Sequence, residues 1–209
     1  MKDFNGSLPD NFHAAVAALR AGELVVFPTE TFYAIGADPM QPAALERIFA
    51  VKGREPGKPI ALIAADSVCA LALAREIPAS AQRLAARFWP GPLTLVLPAH
   101  ARLASALIGP DSGVGVRVSP HPTALALARA TGGLITATSA NRSGEPPART
   151  IAQARASLGP LVTVYLDGGT LTGAAASTVV GFEDDGTPRV LRNGAIEAGD
   201  LTKALEGLK

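Results

Sequence analysis

Short apolar runs alternate with amphipathic segments along the chain, which is the pattern of strands that alternate with helices. Phe12, Val16 and Leu19 share one helical face, between Asp10 as an N-cap and Gly22 as a stop. The same periodicity predicts further helices over 41–53, 79–89, 121–133, 150–159 and 198–208. The apolar runs predict strands over 23–28, 59–65, 93–98, 113–119, 134–138, 161–169, 177–182 and 188–194.

Most of these strands are unbroken apolar runs, as in a sheet that is covered on both faces. The last three strands follow one another through short turns, which favours antiparallel pairing there. The sequence contains no repeat, long linker or change of composition. We therefore predict an α/β protein with one mixed parallel and antiparallel sheet flanked by helices, in a single domain over 1–209 with its core at about 10–198.

Composition narrows the function classes. Charged residues make up 18%, mean hydropathy is +0.25 and the net charge is +1, which excludes nucleic-acid binding through bulk charge but leaves room for a local basic patch. The single cysteine, Cys69, lies in an apolar stretch, so we interpret it as a core residue rather than part of a disulfide or thiolate site. The N-terminus lacks an apolar run, and the segment 88–99 carries three prolines, so we expect no signal peptide, no membrane span and a soluble, cytoplasmic protein.

Ligands of α/β sheets bind at the loops beyond the strand ends, and five such loops carry unusual chemistry. The first, FPTETFYAIGADP, places Thr29, Glu30, Thr31 and Tyr33 after the strand that Pro28 stops. By itself, this loop has the composition of an ordinary polar turn.

The second loop, KGREPGKP, brings Lys52, Arg54 and Lys58 together beside two glycines and two prolines. Three cations on a short rigid loop are suited to an anion, because their repulsion is relieved when a phosphate binds. The alternative is a solvated charged turn. The loop is not a Walker A motif, because its glycines are too close and Pro59 replaces the hydroxyl residue that holds magnesium.

The third segment, GVGVRVSPHP, contains the predicted strand 113–119, in which Arg117 stands between two valines. Such an arginine either faces water or is buried and paired. His13, His100 and His121 are too far apart in sequence to support a two-histidine metal site.

The fourth loop, ITATSANRSGEPP, supplies Thr138, Ser139 and Asn141. The fifth region is STVVGFEDDGTPRVLRNG, where a short hairpin brings Arg192 close to Ser177 and Thr178. Together the loops supply cations, hydroxyls and an amide but no evident nucleophile–base pair. This combination favours a site that positions charged substrates and stabilises charge.

Six segments, in this order, resemble the motifs of the YrdC-like family and most of all its threonylcarbamoyl-AMP synthases: PTETFYAIGAD, KGREPGKP, FWPGPLTLVLP, GVRVSPHP, TSANRSGEPP and STVVGF with VLRNGAI. The resemblance runs from about residue 10 to about residue 198. It implies a YrdC-like α/β fold around a concave, positively charged cavity. The implied reaction joins L-threonine, bicarbonate and ATP, with Mg²⁺ held mainly by ATP, and releases pyrophosphate. The product would pass to a complex that transfers the threonylcarbamoyl group to tRNA, and tRNA binding is also implied.

The resemblance also implies roles for individual residues. Lys52, Arg54, Lys58 and Arg192 would form the catalytic group, with Arg54, Lys58 and Arg192 on the ATP phosphates. Ser139 and Asn141 would contact the nucleotide. The threonine site would consist of Thr31, Tyr33, Arg117, Thr138 and Thr178, with Arg117 on the carboxylate.

Some positions depart from the family pattern. Ala34 replaces a usual glycine, and Ser119 stands where proline is common. The chain keeps both the lysine–arginine–lysine residues and the SAN residues that a sister subgroup lacks, which favours the active synthase. The sequence stops soon after RNGAI, so we expect the short form without a further C-terminal domain.

Two other functions remain open at this point. One is a YrdC-like module that binds tRNA or double-stranded RNA without catalysis, which the near-neutral charge disfavours. The other is a serine hydrolase that uses Ser139 or Ser143. That hypothesis lacks a GxSxG elbow and a histidine near in sequence.

Overall fold

The computed structural model describes residues 8–53, 58–173 and 175–207 and has the predicted mixed α/β architecture. The helices are α1 Phe12–Arg20, α2 Pro42–Lys52, α3 Ser67–Leu71, α4 Ala79–Phe88, α5 Pro122–Ala130, α6 Ile151–Leu158 and α7 Ala198–Leu205, with 3₁₀ turns at Ser105–Leu107 and Gly159–Leu161. The strands are β1 Val25–Phe27, β2 Ala34–Gly36, β3 Leu62–Ala64, β4 Leu93–Pro98, β5 Gly113–Arg117, β6 Leu134–Thr136, β7 Thr138–Ser139, β8 Val164–Tyr165, β9 Thr178–Phe182 and β10 Pro188–Arg192.

Helix ends follow the local sequence in most places. α2 begins at Pro42 and ends at Gly53, which is left-handed at φ 58°, a conformation that glycine adopts without strain. The prediction of Asp10 as the cap of α1 is wrong. Asn11 occupies the N-cap position, and its Nδ2 donates to the Tyr165 carbonyl at 3.1 Å instead of capping the helix. This bond fastens α1 to β8.

The strands form two mixed sheets where the sequence analysis expected one. The smaller sheet has the order β7-β2-β1-β8 and the larger has the order β10-β9-β4-β5-β3-β6. β9 and β10 pair antiparallel as predicted, whereas β8 pairs parallel with β1, with Val25 opposite Val164. A tight turn joins β9 to β10, but the longer segment between β8 and β9 lets the chain cross to the other sheet.

Three short elements escaped the sequence analysis: β2, β7 and α3. α3 lies inside an apolar stretch, where Asp66 caps it by accepting a hydrogen bond from the Cys69 amide at 2.8 Å. Cys69 itself is partly buried against the core, in line with its interpretation as a packing residue. None of the described helices combines the length and the hydropathy that a membrane span requires. The single-domain organisation over 1–209 stays a prediction.

Alternation along the central strands of the larger sheet creates two contrasting faces. In β5, Val114 and Val116 are completely buried in the core, whereas Gly113, Gly115 and Arg117 point to the other face. In β4, the leucines at 93, 95 and 97 are likewise buried, and Thr94 and Val96 share the face of the glycines. Small side chains on this face leave space above the sheet.

Candidate active site

A cavity of about 600 Å³ occupies this space and takes its walls from both sheets. Its size is typical of a site for a small ligand. The predicted site residues that line it are Thr31, Tyr33, Lys52, Lys58, Arg117, Thr138, Ser139, Asn141 and Arg192. Arg54 lies outside the described residues. The structure therefore gathers nearly all of the predicted positions around one cavity, although they come from five separate segments of the sequence.

Positively charged residues outnumber negatively charged ones in the described lining of the cavity. Lys52, Lys58, Arg117 and Arg192 face the cavity with Asp111 as the one acidic member of the described lining. Burial lowers the pKa of Arg192, and the positive charge of Arg117 lowers it further. The two guanidinium groups thus repel each other across the cavity, and a bound anion would relieve that repulsion.

Lys52 differs from the other cations because its ammonium group is buried. Only 4% of Lys52 is exposed, and Nζ donates to the backbone carbonyls of Ser139 and Asn141, the latter at 2.7 Å. Lys58, in contrast, is exposed and hydrogen-bonds to no described residue. Through these two hydrogen bonds Lys52 holds the 139–141 loop. Its place beside the ATP phosphates stays a prediction.

The loop that follows β7 is braced from within. Asn141 is buried, and its Nδ2 donates to the carbonyls of Arg142 at 2.9 Å and Glu145 at 2.7 Å. Ser157 of α6 accepts from the Arg142 amide at 2.9 Å and donates to the Glu145 carboxylate. The Nδ2 group of Asn141 therefore shapes the loop. The Oδ1 atom of Asn141 and the Ser139 hydroxyl hydrogen-bond to no described residue and are the groups left for a ligand.

Arg117 is buried and paired, which decides between the two alternatives that the sequence left open. Its Nε donates to Oε1 of Glu30 at 2.9 Å, and both side chains are 8% exposed. The sequence analysis interpreted Glu30 as part of a polar turn and assigned it no role. The signal that could have found it is the strand-interior arginine, since a buried cation requires a carboxylate nearby.

Tyr33 supports the cavity wall through its hydroxyl. The OH group donates to the Gly169 carbonyl at 2.8 Å and accepts from the Gly168 amide at 2.9 Å. Burial raises the pKa of Tyr33 to about 12, so the hydroxyl stays protonated at neutral pH. Thr31 lies beside it, with its Oγ1 3.1 Å from that of Thr29.

Thr178 is the one predicted site residue among those described whose side chain is not part of the cavity lining. Its Oγ1 donates to the Ile196 carbonyl at 2.8 Å and accepts from the Ile196 amide at 2.9 Å. The cause is the two-residue period of a strand, which turns Ser177 and Val179 to the cavity and Thr178 to the core. The predicted closeness of Arg192 to Ser177 is correct, since Nη2 of Arg192 donates to the Ser177 carbonyl at 2.9 Å and to its hydroxyl at 3.1 Å.

Comparison with known proteins agrees with this arrangement. The Sua5/YciO/YrdC family model, described as telomere recombination, matches residues 17–194, a range that includes every candidate site residue. The chain belongs to this family. Threonylcarbamoyl-AMP synthase of Chromohalobacter salexigens is 40% identical over 180 residues, which cover 86% of this chain and 97% of that protein.

Solved structures of family members share the fold. Sua5 of Pyrococcus abyssi, solved in complex with L-threonine, superposes with a TM-score of 0.88 at 36% identity and covers 93% of this chain. This chain spans 57% of that protein. E. coli YciO superposes with a TM-score of 0.79 at 28% identity, covering 90% of this chain and 94% of its own.

The family relationship decides between the functions that the sequence left open. Relatives across most of the chain are named threonylcarbamoyl-AMP synthases, so the predicted enzyme class, a nucleotidyltransferase, is confirmed. The catalytic interpretation is favoured over the RNA-binding module.

Proposed function

We propose that this family member forms threonylcarbamoyl-AMP and pyrophosphate from L-threonine, bicarbonate and ATP. The single observation that carries the proposal is the convergence of Lys58, Arg117 and Arg192 on one cavity of about 600 Å³. Such a cluster suits substrates that bring both phosphates and a carboxylate. The names of the relatives and the L-threonine complex of P. abyssi Sua5 support the same assignment.

In this proposal the charged groups divide between the two substrates. Lys58 and Arg192 bind the ATP phosphates, together with Arg54 by family resemblance. Ser139 contacts the nucleotide. Arg117 binds the threonine carboxylate, with Thr31 and Thr138 close to the same substrate. Lys52, Asn141 and Tyr33 hold the loops that carry these groups.

The chemistry has two steps. The threonine amine bonds to the carbon of bicarbonate with loss of water, which gives a carbamate. A carbamate oxygen then bonds to the α-phosphorus of ATP, the bond to the β-phosphate oxygen breaks and pyrophosphate leaves. The protein contributes alignment and neutralisation of the phosphate charge, and in this proposal Lys58 and Arg192, which line the cavity, supply the positive charge.

Magnesium fits this site as a companion of ATP. The described lining offers one carboxylate, Asp111, and no described group of three acidic, histidine or cysteine residues is placed to hold a metal. Mg²⁺ is commonly bound through one or two carboxylates and the substrate phosphates, so ATP would supply most of its ligands. When bound, it would neutralise charge on the phosphates.

The product is a reactive mixed anhydride, so we propose that a separate tRNA-modifying complex accepts it soon after release. We also propose a cytoplasmic location, where ATP, threonine and tRNA occur together.

The direct test is to incubate the protein with ATP, Mg²⁺, L-threonine and bicarbonate and to measure pyrophosphate. Release that depends on both threonine and bicarbonate is expected. Salt-sensitive tRNA binding combined with no ATP affinity and no pyrophosphate would overturn the proposal in favour of an RNA-binding module.

A further inference from the structure

Arg117 is held by one nitrogen of its guanidinium group. Nε donates to Glu30, whereas neither Nη nitrogen hydrogen-bonds to a described residue. A guanidinium group carries five N–H donors in one plane, so the Nε contact leaves four of them on the Nη pair. Because Arg117 lines the cavity, this pair forms an open fork for a ligand carboxylate.

Glu30 is itself fixed by a second contact. Its Oε2 accepts a hydrogen bond from the hydroxyl of Ser119, which is completely buried. The same hydroxyl accepts from the His121 amide at 3.2 Å. Both carboxylate oxygens of Glu30 are therefore occupied, one by Ser119 and one by Arg117, which restricts the carboxylate to one orientation.

Glu30 does not belong to the cavity lining, and both of its carboxylate oxygens accept hydrogen bonds from side chains of the protein rather than facing the substrate space. Two roles remain for the Glu30 carboxylate beside Arg117. It could offset the charge of Arg117, which faces Arg192, or it could hold the Arg117 fork in the orientation that a carboxylate needs. These explanations predict opposite effects of removing the charge of Glu30, because an uncompensated Arg117 would attract an anion more strongly.

We propose that Glu30 and Ser119 are positioning residues that clamp Arg117 by its Nε and present both Nη groups to the carboxylate of the amino-acid substrate. The proposal rests on the proposed function. Ser119 takes part through its hydroxyl, which donates to Glu30 and which an alanine at this position would lack.

The test compares Glu30→Gln and Ser119→Ala with the unaltered protein in pyrophosphate release, with KM measured separately for L-threonine and ATP. In Glu30→Gln the bond to Arg117 loses the charge of its acceptor, and the amide NH₂ group turns a donor toward the Ser119 hydroxyl, which loosens the clamp. We expect the KM for L-threonine to rise about tenfold and the KM for ATP to change less than about threefold. Ser119→Ala keeps every charge and should raise the KM for L-threonine about threefold.

Binding calorimetry with L-threoninamide, which lacks the carboxylate, separates positioning from general damage. The clamp acts through the carboxylate, so Glu30→Gln should bind L-threoninamide as well as the unaltered protein does. Glu23→Gln is the matched control, because it removes a carboxylate that pairs with Arg47 at 2.7 Å on the surface. It should leave both KM values unchanged.

A lowered KM for L-threonine in Glu30→Gln would overturn the proposal in favour of charge balance, and an unchanged KM would overturn both explanations. If Glu30→Gln fails to fold, Ser119→Ala decides, and an unchanged KM in that variant overturns the proposal. Absence of threonine-dependent pyrophosphate release from the unaltered protein would overturn the proposed function and this inference together. If the inference alone is wrong, the unaltered protein still releases pyrophosphate in a threonine-dependent reaction.

Discussion

Nζ of Lys52, at the end of α2, donates a hydrogen bond of 2.7 Å to the backbone carbonyl of Asn141. The same ammonium group also reaches the Ser139 carbonyl. Helix α2 leads into the loop that contains Lys58, and it is thereby tied to the 139–141 loop on the opposite wall of the cavity. Lys52 and Lys58 look equivalent in the sequence, but they occupy different environments and should respond differently to the same substitution.

Lys52→Met keeps the length of the side chain and removes its donors. Two carbonyls lose their partner, so the free energy of unfolding should fall by about 2 kcal/mol or more in urea denaturation. Lys58→Met, at an exposed position, should leave it within about 0.5 kcal/mol while lowering kcat/KM for ATP. Equal stability of the two variants would contradict the role of Lys52 in holding the loop.

Arg192→Lys tests whether a planar guanidinium is required beside Ser177. Lysine cannot reproduce the two hydrogen bonds that Nη2 makes there, so kcat/KM for ATP should fall about tenfold to hundredfold. Arg189→Lys provides the control, because Arg189 is 58% exposed and pairs with Glu183 outside this cavity. Activity of Arg192→Lys at the level of this control would remove Arg192 from the phosphate site.

Ser177 and Thr178 provide a test of strand register. Thr178→Val removes two hydrogen bonds to Ile196 and should cost about 1–3 kcal/mol of stability with little effect on KM. Ser177→Ala should do the reverse, because its hydroxyl lies in the cavity and bonds to Arg192 and Thr94. Urea denaturation and steady-state kinetics on both variants provide the measurement. If Thr178→Val raised KM and Ser177→Ala lowered stability instead, Thr178 would belong to the site.

Gly115 forms part of the cavity floor. A Cβ there would meet Ala61 and Thr94 at 3.6 Å, which is ordinary contact, so Gly115→Ala should fold. The added methyl group occupies ligand space and should weaken ATP or L-threonine binding about tenfold in calorimetry. Gly36→Ala is the contrasting variant, since its Cβ would lie 2.1 Å from the Thr136 carbonyl and should cost about 3 kcal/mol or more. Unaltered affinity for both ligands in Gly115→Ala would mean that neither uses this floor.

His121 makes stability sensitive to acid. Burial lowers its pKa from 6.5 to about 4, against an opposing effect of Glu30, so the folded protein binds this proton less readily than the unfolded chain does. Stability is therefore complete above about pH 6.5 and is lost as the pH falls toward 4, by up to about 1.4 kcal/mol per pH unit. His121→Asn keeps an acceptor at the N-cap of α5 and should flatten the dependence of Tm on pH in that window, whereas substitution of the exposed His13 should not.

The sequence predicted the elements and the set of cavity residues better than it predicted orientation. The spacing of Gly113, Gly115 and Arg117 places them on one strand face, and the structure agrees. The face of Thr178 depended on the register of β9, which no local pattern determines. Lys52 and Glu30 depend on contacts with residues far away in sequence, so their burial became visible only in the folded chain.

The cavity draws its walls from strands that are distant in sequence, including the parallel pairs β1 with β8 and β4 with β9. Such pairings are slow to form, because a long loop must close before any contact compensates the lost entropy. During refolding from denaturant, helical signal should return before the ability to release pyrophosphate. Enzyme activity is then a reporter of the last pairings to form, and a chain with native helix content can still lack a substrate site.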